Sequence, residues 1–436
     1  MRNPETIGVV PSPLGIYAKY ITPPLPAAAA KSIVQGLRVE RYALLAQARR
    51  LFSEAGKAEG LQFGHDFHRT AKCKHIRRGG ENVGVHLDKK HASAFYSSLV
   101  TCGSVWACPI CAAKIQERRR EEIAKAVQWA YAQGLQPVLV TLTSPHYSHQ
   151  KIGDLLAMQA MALQRLRAGQ PWEKFKKREG FRGLIRSLET THGVNGWHIH
   201  THELWFLKAS ADAGQLRGEI SSRWASACAR AGLLDIKNDS QVLAFMAHAV
   251  DVKGNCSASD YLAKQDDSRH WGVDRELAKG STKAGKLKGA HPFGLLKQAA
   301  TDRRSGELFV AYAVAMRGKR QIFWSHGLKK QVGIGEVTDE ALAEEQREEA
   351  DLLGLLDADD WKTVREAGQR GQLLTAAEGG GWPAVQALLD RLTRDEIRRL
   401  EALLSLPAPP RCSEAPQGPG GPPEGPRRAP TLLAKY

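Results

Sequence analysis

The sequence predicts an α+β fold, because strand-like runs joined by a hairpin signal alternate with apolar-periodic stretches of helical length. The hairpin is the strongest of these signals. Runs 184–191 and 197–207 are rich in β-branched and aromatic residues, and the Asn195-Gly196 step before the second run favours a tight turn. Since the arms of a hairpin are antiparallel, at least part of the predicted sheet is antiparallel.

The other predicted elements lie on both sides of this hairpin. Strands are predicted at 137–143, which ends in the turn Ser144-Pro145-His146, and at 321–325. Helices or further elements are predicted at 38–52, 115–132, 155–166, 215–231 and 244–250. The basic stretch 174–178 is predicted to be a loop. Ser257 is a predicted N-cap for a helix that carries Tyr261.

Composition divides the chain into five predicted segments. They are a partly disordered Pro/Ala-rich lead (1–60), a cysteine-rich module (61–115), a central basic domain (116–335), an acidic helical accessory segment (336–404) and a disordered Pro/Gly-rich tail (405–436).

The charge is distributed unevenly along the chain. The 62 Lys and Arg against 46 Asp and Glu give a formal net charge of +16, which indicates a polyanionic partner. Residues 336–404 carry 17 acidic and 8 basic side chains, a net of −9, and the tail carries +2, so +23 lies in residues 1–335. No apolar run reaches the length of a membrane span and no signal-peptide pattern begins the sequence, so we expect a cytoplasmic protein without a membrane partner.

Four of the seven cysteines are spaced in a pattern that suits a common site. Cys102, Cys108 and Cys111 form a C-x5-C-P-x-C pattern, and 28 residues separate Cys73 from the first of them. An odd number of cysteines argues against a disulfide framework, whereas four thiolates are the ligands of a closed structural Zn²⁺ site. The sequence therefore predicts zinc bound by these four, with His75 as the alternative to Cys73.

Three histidines at a spacing of two mark the predicted functional site. His198, His200 and His202 would point to the same side of one strand, because side chains of a strand alternate between its two faces. Glu189 lies on the other arm of the hairpin. Neutral imidazoles together with a carboxylate suit a divalent cation such as Mg²⁺ or Mn²⁺, so these four residues are the predicted catalytic metal ligands.

Tyr261 and Lys264 follow the histidines at an i, i+3 spacing that shares one helix face. A metal-bound phosphate can be attacked by a tyrosine hydroxyl, and the resulting phosphotyrosyl bond is reversible, which suits breaking and rejoining DNA. Tyr261 is therefore the predicted nucleophile, and Lys264 is predicted to bind the phosphate or to stabilise the phenolate.

Taken together and in this order, the motifs resemble those of the plasmid rolling-circle replication initiators. These are the Rep proteins of the HUH endonuclease superfamily with one catalytic tyrosine. The motifs are Cys102-Gly-Ser-Val-Trp-Ala-Cys-Pro-Ile-Cys111, Val140-Thr-Leu-Thr143 with His146, Gly196-Trp-His-Ile-His-Thr-His202, and Tyr261-Leu-Ala-Lys264. The resemblance covers about residues 70 to 330.

The resemblance implies a central antiparallel sheet with helices on one face and the histidines on a middle strand. It also implies that the protein nicks one strand at the plasmid double-strand origin, where the DNA is single-stranded at the nick. The expected products are a 5′-phosphotyrosine and a free 3′-OH primer, and the expected partners are a host helicase and polymerase. His200 and His202 best match the metal pair, and His198 is a third ligand or a substrate contact. Ser257 stands where some relatives have a glutamate for termination.

Three other functions compete with this one. A relaxase is disfavoured because its tyrosine precedes its histidines. A transposase or another HUH strand transferase has the same motif order. A non-enzymatic, zinc-dependent DNA-binding regulator would use the basic charge alone.

Overall fold

The structure, a computed structural model, describes residues 27–257, 289–344 and 350–404. Within them, the large unit comprises 27–52, 69–73, 101–257 and 289–344, and the small unit comprises 53–68, 74–100 and 350–404. Each unit is described separately below. Tyr261, Lys264 and the tail 405–436 lie outside the described residues.

The described elements, in chain order, are the following. They are α1 (Ala27–Ala58), β1 (Val83–Asp88), β2 (Ser93–Tyr96), α2 (Pro109–Ala132), β3 (Leu135–Leu142), α3 (Ile152–Leu166), α4 (Gly169–Glu179), β4 (Gly183–Gly193), β5 (Gly196–Lys208), α5 (Ala213–Arg230), α6 (Asp239–His248), β6 (Val250–Lys253), α7 (Pro292–Gln298), α8 (Arg303–Ala315), β7 (Ile322–Trp324), α9 (Leu328–Val332), α10 (Asp339–Glu344), β8 (Ala350–Leu356), α11 (Ala358–Glu366) and α12 (Arg370–Leu404). Two short 3₁₀ turns, Gly64–Asp66 and Arg69–Lys72, precede β1.

A five-stranded antiparallel sheet forms the centre of the large unit, with the strand order β6-β3-β5-β4-β7. The predicted α+β fold with antiparallel strands is therefore confirmed, and the histidine strand β5 is the middle one. The predicted hairpin is present as β4 and β5, closed by a two-residue turn between Gly193 and Gly196. Gly196 has a φ of +85°, in the region that favours glycine.

Helices cover both faces of this sheet, whereas the resemblance implied helices on one face. On the first face, Leu204 and Phe206 of β5 pack against α2, and Trp129 meets Phe206 edge-on at 5.8 Å. On the opposite face, Trp205 is fully buried and meets Trp172 of α4 at 5.6 Å. Both faces are apolar here because strand residues alternate sides and residues 204–207 of β5 are all hydrophobic.

The helix starting at Pro109 begins earlier than the predicted 115 because its first turn is capped. The Cys108 side chain accepts a hydrogen bond from the Cys111 amide, and proline at the first helical position loses no hydrogen bond.

The basic stretch 174–178 was wrongly predicted as a loop. It lies in α4, where Trp172, Phe175 and Glu179 are buried on one helix face and Gly180 ends the helix in the left-handed conformation.

In the small unit, β8 pairs with β1 in a three-stranded sheet of order β2-β1-β8. The prediction of a wholly helical accessory segment is wrong for these strand residues, because β8 finds its partner more than 260 positions away. Trp382 lies directly over Gly354, where a Cβ atom would be 2.3 Å from the indole ring. The helices α11 and α12 follow, the first starting at a capping box of Asp357 and Asp360.

No described helix has the length and apolar composition needed to cross a membrane.

Candidate functional site

Glu189, His200 and His202 converge on one face of the central sheet, and we call them the Glu-His-His cluster. One ligand atom from each lies within 4.8 Å of the others. The Glu189 Oε2 atom is 3.2 Å from His200 Nε2 and 3.4 Å from His202 Nε2. The register of the hairpin brings them together, because Glu189 on β4 is directly opposite His200 on β5 and His202 follows on the same face.

The spacing and the donor set of this cluster fit a divalent cation. Ligand atoms that each lie about 2.1 Å from one cation are about 3.0 to 3.4 Å apart at angles of about 90 to 109°. The two nitrogen–oxygen distances agree with this range. The side chains are 9 to 13% exposed, so a bound ion would be shielded by protein and still reachable from one side.

Thr141 orients one of the two histidines in the cluster. Its Oγ1 atom lies 3.0 Å from His202 Nδ1, and the two residues are directly paired across β3 and β5. This contact leaves the Nε2 atom of His202 directed at Glu189, the usual way in which an outer contact fixes the tautomer of a ligating histidine. The Nδ1 atom of His200 is buried and has no hydrogen-bond partner among the described residues, so Nε2 is its engaged nitrogen.

The charge state of Glu189 in the cluster favours binding of a cation. Burial by itself raises the pKa of Glu189, but hydrogen bonds and charge interactions with His200 and His202 outweigh it and hold this pKa well below its ordinary range. Glu189 is therefore an anion at neutral pH. Burial, followed by the neighbouring histidines, lowers the pKa of His198 to about 3, so His198 is neutral.

His198 lies beside the cluster and outside its three converging atoms. Its ring centroid is 4.8 Å from that of His200, and its other neighbour is His146, stacked on it at 4.7 Å with 7° between the planes. The sequence analysis assigned no role to His146 or Thr141. Both belong to the β3 region, and only the pairing of β3 with β5 shows that they adjoin the histidines. Tyr261 and Lys264, the predicted nucleophile and its neighbour, are not among the described residues.

The four predicted zinc ligands form a second group, which we call the thiol cluster: Cys73, Cys102, Cys108 and Cys111. Their sulfur atoms lie 3.6 Å apart for Cys73–Cys111 and Cys73–Cys108, and 3.7 Å apart for Cys102–Cys111. All four side chains are buried and none forms a disulfide. His75, the alternative ligand, is not part of the group.

The local backbone supports a metal at the thiol cluster. Amides of Ser104 and Cys111 lie 3.4 Å from the sulfurs of Cys102 and Cys108. Burial, together with the neighbouring thiols, raises the pKa of Cys108. Four buried thiols in contact with each other contribute little stability without a cation, whereas a bound Zn²⁺ stabilises them as thiolates. The residues present therefore fit this metal.

Comparison with known proteins places the chain in a family. The family described as "Replication protein" matches residues 98–367. The chain is 27% identical over 321 residues to "Protein rep" of Streptomyces lividans, covering 60% of this chain and 68% of that protein. It is 34% identical over 149 residues to "Neomycin resistance protein" of Streptomyces cyanogenus, covering 28% of this chain and 34% of that protein. No solved structure matches.

The family match covers most of the described large unit, including the Glu-His-His cluster and every thiol-cluster residue except Cys73, and it confirms the resemblance inferred from the motifs. The chain belongs to the replication protein family and is a plasmid Rep protein.

Proposed function

We propose that this protein initiates rolling-circle replication of a plasmid by nicking one DNA strand at the double-strand origin. The observation that carries the proposal is the Glu-His-His cluster on the middle strand of the sheet. These residues could hold a divalent cation, which can assist phosphodiester cleavage, and they belong to a chain of the replication protein family.

Glu189, His200 and His202 would hold Mg²⁺ or Mn²⁺, with His198 beside them as a substrate contact or further ligand. The bound ion would draw off the negative charge that develops on the phosphate during attack. Glu189 is anionic and therefore offsets the charge of the ion. Thr141 keeps the ring of His202 in its binding orientation.

Tyr261 is the proposed nucleophile. Its phenolic oxygen attacks the phosphorus and loses its proton to solvent, the bond from phosphorus to the 3′ oxygen breaks, and the phosphate remains on Tyr261 as a 5′-phosphotyrosine. The departing 3′ oxygen takes up a proton and becomes the 3′-OH that primes synthesis by a host polymerase, while a host helicase opens the duplex. Lys264, one helical turn later in the sequence, supplies positive charge for the phosphate or the phenolate.

A basic loop at the edge of the sheet supports DNA binding next to the cluster. Arg317, Lys319 and Arg320 are exposed, and the loop leads into Gln321. The Gln321 carbonyl accepts a hydrogen bond of 2.9 Å from the amide of Leu188, the residue before Glu189 in β4. Side chains of this loop can therefore contact phosphates of a strand that reaches the cluster, and binding should weaken as salt rises.

In the same proposal, Zn²⁺ in the thiol cluster is structural. It would join the turn that ends at Cys73 to the first turn of α2, which carries Cys108 and Cys111. The proposed functional divisions are those predicted from composition: a zinc module at 61–115, a nicking domain at 116–335 and an accessory segment at 336–404.

Two variants test the nuclease assignment. With Mn²⁺ and supercoiled DNA cloned from the region around the gene, the parent should nick and remain attached to the 5′ end. Tyr261→Phe should form no covalent adduct. Combined His200→Ala and His202→Ala should abolish nicking and leave salt-sensitive DNA binding largely intact, because that binding comes from Lys and Arg. The exposed His326→Ala is the matched control and should nick normally.

The alternatives predict other results. Nicking by Tyr261→Phe at the parent rate would remove the nucleophile assignment. A non-enzymatic regulator would bind DNA without nicking in any variant. A transposase would cleave the ends of a mobile element rather than an origin, a function that the replication family match disfavours.

A further inference from the structure

The loop between β3 and α3 exposes two aromatic rings beside the cluster, and we call residues 144–149 the aromatic loop. Tyr147 is 46% exposed, and its ring lies parallel to that of His149, at 5.8 Å with 9° between the planes. His149 is also exposed. Exposed aromatic rings of this kind can stack on an additional flat partner.

The aromatic loop adjoins the Glu-His-His cluster through two stacked histidines. His146 in the loop stacks on His198 at 4.7 Å, and His198 in turn lies 4.8 Å from His200. A ligand on the loop is therefore within a few side chains of the proposed scissile phosphate.

The hairpin holds the aromatic loop in place. Gly196 is so close that a Cβ atom there would lie 2.8 Å from Ser148 Cα and 2.9 Å from the Tyr147 carbonyl oxygen. The Tyr147 amide donates a hydrogen bond of 2.8 Å to Gln150 Oε1, and the Tyr147 hydroxyl accepts one from Gln241 Nε2 on α6. The rings are thus fixed before any ligand arrives, which lowers the entropy lost on binding.

The charge of the aromatic loop differs from that of the basic loop on the other side of the cluster. The segment Ser-Pro-His-Tyr-Ser-His at 144–149 contains no Lys or Arg, whereas Arg317, Lys319 and Arg320 lie at the β7 edge. Strands β3, β5, β4 and β7 are consecutive in the sheet, so the cluster lies between a ring-bearing side and a basic side. A polymer with flat bases along one side and phosphates along the other matches this division.

We propose that Tyr147 and His149 stack unpaired bases of the DNA strand whose phosphate enters the cluster. This inference rests on the proposed function and names side chains that would bind the bases of its substrate. Bases in a duplex are already stacked on each other, so an open aromatic surface selects single-stranded DNA, with little sequence preference because every base has a flat face.

The experiment compares two fluorescein-labelled strands of equal charge, dT15 and a fully abasic strand of the same length. Binding is measured by anisotropy in EDTA, so that no cleavage occurs. The combined variant Tyr147→Ala with His149→Ala should bind dT15 about fivefold to tenfold more weakly than the parent. Its binding to the abasic strand and its salt dependence should be unchanged. Tyr147→Phe should retain most of the parent affinity for dT15, since it keeps the ring.

Tyr131→Ala is the matched control. Tyr131 is 47% exposed and donates one hydrogen bond, to the Cys256 carbonyl, but it precedes the opposite end of β3, about 25 Å from the aromatic loop along the strand. It should bind both strands as the parent does. Lys319→Ala should weaken both strands alike and reduce the salt slope by about one, as expected for a phosphate contact.

The inference is overturned if the combined variant binds dT15 like the parent, or weakens both strands equally while its melting temperature matches the parent. These results are independent of the nuclease assignment. A protein that nicks through Tyr261 but shows no base-dependent binding at the aromatic loop refutes the stacking surface alone. Base-dependent binding lost in the combined variant, in a protein that never nicks, supports the surface and refutes the proposed function.

Discussion

Replacing Cys111 by serine tests the thiol cluster most directly. A regular tetrahedron with edges of 3.6 to 3.7 Å has its centre about 2.2 to 2.3 Å from each corner, and Zn–S bonds are about 2.3 Å long. The three sulfur–sulfur distances therefore fit a Zn²⁺ ion bound by four thiolates. X-ray absorption at the zinc edge of the parent protein should show four sulfur neighbours at about 2.3 Å and no nitrogen neighbour.

The expected loss in Cys111→Ser is large. The side chain is 1% exposed, so serine would remove a thiolate ligand and leave a buried hydroxyl in its place. Loss of a structural metal belongs to the severe class of substitutions, and we expect the unfolding free energy to fall by on the order of 4 to 5 kcal/mol. Zinc content after dialysis against a chelator should drop from about one atom per chain to a small fraction.

Cys228→Ser is the control. Cys228 is as buried as the cluster thiols but lies on α5, outside the cluster, so it should show only the cost of a buried hydroxyl, about 1 to 3 kcal/mol, and full zinc content. Cys73→Ser should behave like Cys111→Ser, and His75→Ala should not. A nitrogen neighbour in the absorption spectrum would instead favour His75 as a ligand. A zinc-free parent with an unchanged melting temperature would refute the zinc site altogether.

Three further predictions concern the sheet. Gly196→Ala should lower the unfolding free energy by about 1 to 3 kcal/mol in a denaturant titration, because its φ is +85° and its Cβ would meet the backbone of Ser148 at 2.8 Å. Gly134→Ala, also at positive φ but with no atom within 4 Å, should cost less, and equal losses would contradict the argument from close approach. Arg167→Met should cost about 3 to 5 kcal/mol, since it leaves the carboxylate of Glu203, which is 0% exposed, with Trp205 as its remaining hydrogen-bond donor. Adding Glu203→Leu should recover much of that loss in thermal melts, and no recovery would argue against a buried charge as the cause. For pH dependence, the pKa of His198 is about 3 in the folded protein and about 6.5 when unfolded, so the unfolded state binds the extra proton. The stability contributed by neutral His198 is present above pH 6.5 and is lost as pH falls towards 3, so His198→Asn in EDTA should flatten the acid limb of stability, and an unchanged limb would refute this.

The hairpin and its histidines could be predicted because their signals are local. Alternation along 197–207 and the turn before Gly196 depend only on neighbours in the sequence, and the structure has the same two strands. The start of α2, capped by Cys108, also depends on local signals, although its boundary was predicted six residues late. Elements whose partners are distant were predicted less well. The strand β8 was missed because its pairing with β1 is not encoded in its own composition, and α4 was missed because its burial depends on Trp205.

Local patterns in the sequence predict three imidazoles on one strand face, four cysteines at a spacing that suits zinc, and basic charge outside the acidic segment. The tertiary fold establishes which atoms meet. The register between β4 and β5 brings Glu189 to His200 and His202, and that between β3 and β5 brings Thr141 to His202, while His198 turns to His146. The alternation of side chains along a strand predicts which residues share a face. Which residues of the neighbouring strand they meet depends on the strand register, and a shift of one residue would place these partners on opposite faces.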